Sequence, residues 1–227
     1  MKRLVLDDPA RRAAELLATA AQAGAQIALT GGSTPRRAYE LAAAAGLDWS
    51  HATLWWGDER CVAPDDERSN YRLAREALLE RLASGASPAK HRIEGELGPL
   101  RGAQAYEAAL REAFGTGAPR LDLVLLGVGP DAHCASLFPG APALDERRRL
   151  AVGVERPGLA PWVPRVSLTL PVLAAAREVV FLVTGADKAD AVARAFDGAP
   201  SPAAPASLVA AEAGSVTVLL DRAAASG

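Results

Sequence analysis

The chain has 227 residues, half of them hydrophobic and 23% charged, ordinary values for a globule that buries most of its apolar surface. Its 25 basic and 27 acidic residues leave a net charge of -2 with no basic block, which excludes the electrostatic footprint of a nucleic-acid binder and points to a small-molecule partner. Two cysteines, Cys61 and Cys134, make no disulfide framework, no run approaches the roughly 20 apolar residues that span a bilayer, and the N-terminus lacks the apolar core of a signal peptide, so a cytoplasmic protein with free thiols and no membrane partner is expected.

From the N-terminus, Arg11 to Ala23 reads as a helix and Gln26 to Thr30 as a strand that stops at Gly31-Gly32. Pro35 opens the next helix, through Ala45, where its fixed φ and missing N–H cost nothing. Ala52 to Trp56 is a second strand, and because side chains alternate across a strand at least one of Trp55 and Trp56 belongs to the core. The strand runs into Gly-Asp-Glu-Arg, after which Ser69 caps a helix reaching about Ala83. Ser84 to Pro99, rich in Gly, Ser and Pro, is a crossover to a helix from Leu100 to Phe114. Leu121 to Leu126, interrupted only by Asp122, is a central strand stopped by Gly127, Gly129 and Pro130. After the basic segment Arg147 to Arg149, extended pieces follow at Ala151 to Val154, Arg165 to Leu170 and Glu178 to Thr184. The order ends with a helix from Asp187 to Phe196, a strand from Val216 to Leu220, and AAASG as a low-complexity tail. The alternation predicts an α/β fold: a mostly parallel, Rossmann-like sheet covered by helices on both faces, its strand order not legible. The length leaves one core or two subdomains open, and no linker argues for two.

Chemistry gathers where strands end, as ligands do in open α/β sheets. In Thr30 to Glu40, Gly31 and Gly32 let a backbone approach an oxyanion, Ser33 and Thr34 offer hydroxyls, and the helix after Pro35 points its positive end there; otherwise the hydroxyls merely cap that helix. The loop is not a Walker A motif, so a sugar phosphate suits it better than ATP. In the second loop, Arg60 is a bidentate anion ligand oriented by Asp58 or Glu59, or part of a solvated ion pair. In the third, His133 is the best general base, with Asp131 two residues earlier to hold its imidazole; the alternative is a capping histidine. Gly127 to Ala132 also spells the outline of a dinucleotide fingerprint, but little helix follows to supply a dipole and no acidic residue stands at the ribose position, so we read a false match. No metal-ligand spacing is present, and no metal is expected. His51 and His91 read as surface residues, and Cys134 and Ser136 as structural. Only Lys2, Lys90 and Lys188 are lysines, and Lys188, following a strand and a glycine, joins Arg165 as a cation near a strand end.

Taken together, TGGSTP, WWGDER with the following SN, LLGVGPDAHCASLFPG, RVSLTLP and VTGADK resemble the 6-phosphogluconolactonases of the glucosamine-6-phosphate isomerase/6-phosphogluconolactonase family, in order across most of the chain. The resemblance implies a sugar-phosphate isomerase-like domain over residues 1–227 that hydrolyses 6-phospho-D-glucono-1,5-lactone in the oxidative pentose phosphate pathway without a cofactor. By the same resemblance His133 is the base that activates water and Asp131 orients its ring. Gly31, Gly32, Ser33, Thr34, Arg165 and Lys188 hold the phosphate, and Arg60 lines the site with Asp58 as a further catalytic residue, placing the ligand or stabilising negative charge that develops on oxygen. The oligomeric state is left open, a monomer being compatible. The family pattern carries glycine where this chain has Ala132; since Ala132 reads as preceding a short helix, a negative φ is expected there. The alternatives are a glucosamine-6-phosphate deaminase relative, which calls for an MDEY-like sequence in place of GDER, and a non-catalytic sugar-phosphate sensor, whose usual DNA-binding helical domain does not precede Met1.

Overall fold

The computed structural model describes residues 1–117 and 119–226. Ten strands and seven helices alternate through these residues: β1 Lys2–Val5, α1 Pro9–Gln22, β2 Gln26–Leu29, α2 Arg36–Ala44, β3 Thr53–Trp56, β4 Asp58–Arg60, α3 Asn70–Ala77, β5 Ala89–Lys90, α4 Pro99–Phe114, β6 Leu123–Leu126, β7 Ala151–Val154, β8 Arg165–Leu168, α5 Leu170–Ala174, β9 Glu178–Val183, α6 Ala189–Phe196, α7 Pro205–Glu212 and β10 Val216–Leu220. Seven strands form one parallel sheet in the order β1-β10-β9-β6-β2-β3-β5, and β4-β8-β7 form a small antiparallel one. β6 and β10 are buried along their whole length and β9 from its second residue on. Continuous apolar runs of this kind are what a parallel sheet flanked by helices needs.

The chain leaves β2 for β3 and β5 on one side, and leaves β6 for β9 and β10 on the other. β2 and β6 are neighbours, so their carboxyl ends diverge and open a crevice at the switch in strand order. Two buried tyrosines fix the strand ends beside it. The Tyr39 hydroxyl accepts from Thr30 N–H at 2.9 Å and donates to Thr30 O at 2.6 Å, and the Tyr106 hydroxyl does the same for Trp56 at 2.8 and 2.9 Å. β5 pairs with β3 only at Thr53 and Leu54, so at Trp56 the Tyr106 hydroxyl stands in for the missing strand.

Several sequence expectations need correction. Asp58–Arg60 is a strand and not a loop, because it pairs with β8, and the crossover from Ser84 contains β5. Lys2–Val5 is an edge strand, and Leu170–Ala174 and Pro205–Glu212 are helices; none of these was read from the sequence. The α3 segment ends at Ala77, with a further 3-10 turn over Leu79–Arg81. The tail is packed and not loose, since Ala224 is fully buried and its N–H donates to Asp221 Oδ1 at 2.7 Å; Gly227 lies outside the described residues. Both Trp55 and Trp56 are core. His51 and His91 are exposed, as read, and His91 stacks on Trp55 with centroids 4.2 Å apart.

Candidate active site

A cleft of about 200 Å³ lies at the carboxyl ends of β2, β6 and β9, walled by the loop after each strand and by the small sheet. Gly31, Gly32, Ser33, Thr34, Asp58, Arg60, His133, Arg165 and Lys188 all stand on its wall, and Asp131 lies directly behind His133. Chain segments as far apart as residues 31 and 188 are thus brought to one place.

The histidine loop is a tight reversal. Ala132 N–H donates to Gly129 O and Gly129 N–H to His133 O, both at 2.9 Å, and the imidazole folds back over Gly129. A Cβ on Gly129 would stand 2.1 Å from His133 Nδ1 and Cε1, so only glycine permits this packing. His133 Nδ1 lies 2.5 Å from Asp131 Oδ1, and the ring packs against Phe138 at 4.4 Å. Donating from Nδ1 leaves the Nε2 lone pair free to accept a proton. Burial pushes the Asp131 carboxyl up, but the hydrogen bond and charge of His133 outweigh it, and the group sits below the usual carboxylate range. On α6, Arg194 braces the loop from outside, donating to Pro130 O at 2.8 Å.

The expectation of negative φ at Ala132 is overturned: its φ is 65°, in the left-handed region, and Ala135 follows at 49°. No helix follows this turn; the next helical residues are a 3-10 turn over Pro142–Asp145. The chain therefore has to reverse at Ala132 itself. The residue is held there by its own N–H, by Ala206 of α7, whose N–H donates to Ala132 O at 3.0 Å, and by complete burial of its methyl group.

Two arginines face each other across the small sheet, Arg60 on β4 and Arg165 on β8. Arg60 Nη1 donates to Arg68 O at 2.7 Å, and Arg165 Nη2 donates to Leu159 O and Pro161 O at 2.9 and 3.3 Å. The Nε of each is buried with no partner among the described residues. Burial lowers the Arg165 pKa, and Arg60 lowers it further, against the opposing charges of Asp58 and Asp131. Like charges set opposite one another are destabilising unless something negative lies between or beside them.

At the first loop, α2 has Pro35 as its N-cap with no side-chain capping bond, and Tyr39 N–H to Pro35 O is its first backbone bond. The hydroxyls of Ser33 and Thr34 make no hydrogen bond among the described residues, so they are not spent on capping. Gly32, with φ 89°, has open space where a Cβ would stand. Gly31 instead meets protein: a Cβ there would lie 1.8 Å from Asn70 Oδ1. Across the cleft Lys188 is mostly buried, 3.8 Å from the exposed Asp187.

Sequence reasoning missed Gly129, Asn70, Phe138 and Arg194, although the SN after GDER and the SLFP after His133 were legible as motifs. Ser136, read as structural, is fully buried against Asp58. Glu59 does not orient the Arg60 side chain; it is buried and accepts from the N–H groups of Arg60, Asn70 and Tyr71 and from Ser69 Oγ, closing the start of α3. Burial pushes its carboxyl up despite these donors.

Residues 3–218 match the family described as glucosamine-6-phosphate isomerases/6-phosphogluconolactonase. The chain belongs to this family. A relative named 6-phosphogluconolactonase from Nostoc is 43% identical over 178 residues, 77% of this chain and 72% of that protein. One of the same name from Streptomyces coelicolor is 40% identical over 223 residues, 92% and 84% of the two chains. A crystal structure of 6-phosphogluconolactonase from Leishmania guyanensis, 31% identical, superposes with a TM-score of 0.84 over 100% of this chain and 98% of the other. The resemblance read from five motifs and the sugar-phosphate isomerase-like fold are both borne out.

Proposed function

We propose that residues 1–227 act as one domain that hydrolyses 6-phospho-D-glucono-1,5-lactone to 6-phospho-D-gluconate, the lactone step of the oxidative pentose phosphate pathway. The observation that carries this reading is the Asp131–His133 pair placed on the wall of a cleft whose other walls hold Arg60, Arg165, Lys188 and an uncapped helix start. A base beside a cluster of anion-binding groups suits hydrolysis of a phosphorylated neutral ester.

In this account the phosphate is held by Lys188, Arg165, the Ser33 and Thr34 hydroxyls and the backbone at Gly31 and Gly32, with the start of α2 adding its positive end. His133 Nε2 takes a proton from water as the water oxygen attacks the lactone carbonyl carbon, while Asp131 steadies the imidazolium that forms. Arg60, on the strand that also carries Asp58, lines the cleft beside the carbonyl and stabilises the oxyanion. Collapse of the tetrahedral intermediate breaks the ring C–O bond, and the leaving oxygen regains the proton from His133. The residues call for no cofactor, and the substrate is the partner implied.

The family spans two activities, and the loops choose between them. A deaminase would call for MDEY-like residues where this chain has GDER, and β4 here presents Arg60 to the cleft. The test is hydrolysis of lactone freshly made by glucose-6-phosphate dehydrogenase, with spontaneous hydrolysis subtracted, run beside glucosamine 6-phosphate. Turnover of the lactone alone supports the reading; ammonia release from glucosamine 6-phosphate with no lactone turnover overturns it.

A further inference from the structure

We infer that Asn70 and Ser136 are positioning residues, acting through the buried carboxylate of Asp58 to hold the histidine loop, the arginine strand and the glycine loop of the cleft in register. The inference rests on the lactonase reading and adds a role to residues that touch no substrate in it. Asp58 is only 4% exposed, and both its carboxylate oxygens are taken: Oδ2 accepts from Ser136 Oγ at 2.6 Å and Oδ1 from Asn70 Nδ2 at 3.1 Å. The same Asn70 amide donates to Asp58 O at 2.8 Å. No lysine or arginine lies within ion-pair distance of Asp58 among the described residues. With each oxygen bonded inside the protein, such a carboxylate is a junction more than a ligand.

The two donors come from different parts of the chain. Ser136 lies three residues beyond His133, and its N–H donates to Oγ of Ser167, the residue paired with Asp58 across the small sheet. Asn70 opens α3, and its amide fills the space against Gly31 at the base of the first loop. Asp58 itself lies two residues from Arg60 on β4. One carboxylate thus ties the histidine loop, the arginine strand and the glycine loop together, and its charge opposes that of the arginine pair. Deleting either donor leaves a buried carboxylate oxygen unsatisfied. Arg165, which already feels the charge of Asp58, is a cation able to answer it, so the expected result is a displaced Arg165 and a loosened His133 loop.

The experiment measures kcat and KM, above spontaneous hydrolysis, for wild type, Ser136→Ala, Asn70→Ala, the double variant and Asn70→Asp across pH, with melting temperatures. Ser136→Ala and Asn70→Ala are expected to lower kcat by roughly 10- to 100-fold, the scale of an ångström of misplacement. Their combined loss should be less than the product of the single ones, since both act through one carboxylate. Asn70→Asp sets a second carboxyl against Asp58; when protonated its single O–H replaces one of the two bonds that the amide donates, so its activity relative to wild type should recover in part as pH falls. The other charged or titratable groups around Asp58 are Arg165 on β8, Arg60 and Glu59 on β4, Tyr39 on α2 and Cys134 on the histidine loop. Asn70→Ala retains all of them, so recovery in Asn70→Asp alone belongs to the new carboxyl. Single variants with kcat and KM within two-fold of wild type but lowered melting temperature, or an Asn70→Asp profile parallel to wild type, would overturn the inference. If wild type shows no lactone turnover, the lactonase reading falls instead, and the junction is read from the histidine side-chain NMR signals. His133 should then shift in both single variants while His51 and His91 stay; an unmoved His133 signal contradicts the junction.

Discussion

Ala132 shows what one residue can and cannot reveal. Its departure from the family's glycine was legible in sequence, but its φ was not, because that depends on whether a helix or a reversal follows. A left-handed alanine costs about 1–2 kcal/mol. Glycine would remove that cost but lose a fully buried methyl, about 0.8 kcal/mol, and gain freedom in the unfolded chain, about 0.4–1 kcal/mol. The terms nearly cancel, which is how the chain tolerates alanine here. Ala132→Gly is therefore expected to change stability by less than about 1 kcal/mol, a few degrees at most in Tm, and activity by no more than a few-fold. A large gain of activity would show a loop impaired by strain. The thiols obey the same local logic: burial pushes Cys61 up to about 12 and Cys134 higher. At neutral pH both remain protonated, so alkylation by iodoacetamide should be slow and should accelerate only in strong alkali; rapid inactivation at pH 7.5 would contradict this.

At the level of elements, the long apolar strands and the loops after them were legible because a run such as LDLVLLG has one reading: a buried strand that stops at glycine. Short elements were not. β4 and β5 exist by virtue of their partners β8 and β3, and three or two residues carry no periodicity of their own. α5 went unread: the extended piece was carried on to Leu170, because Thr169 and Leu170 continue the run of β8, whereas the helix begins at Leu170. Lys188 stood out because lysine is scarce in the chain, and its position at the start of α6 beside the cleft supports its assignment to phosphate. A charge-assisted bond contributes about 1.5–3 kcal/mol, so Lys188→Ala should raise KM roughly 10- to 100-fold with a smaller effect on kcat. Unphosphorylated gluconolactone should be turned over poorly for the same reason. Equal turnover of the two lactones would remove phosphate from the account.

For the whole molecule, hydrophobic patterning gave the fold class but not the strand order, because apolar strands do not state their neighbours. The order matters: it sets β2 beside β6 at the point where their chains diverge, and so brings residues 31, 133 and 188 to one crevice. The tie through Asp58 was equally hidden, since a buried carboxylate and a surface one look alike in sequence. With water activated by an imidazole, turnover should survive exhaustive chelation; activity lost with EDTA and restored by a divalent ion would contradict that. The central claim is that His133 is the base, and the most direct measurement is kcat of His133→Ala on freshly generated 6-phosphogluconolactone, with spontaneous hydrolysis subtracted. His133→Ala is expected to lower kcat by about 10²–10⁴-fold with KM little changed. A variant that keeps wild-type kcat at neutral pH would contradict it.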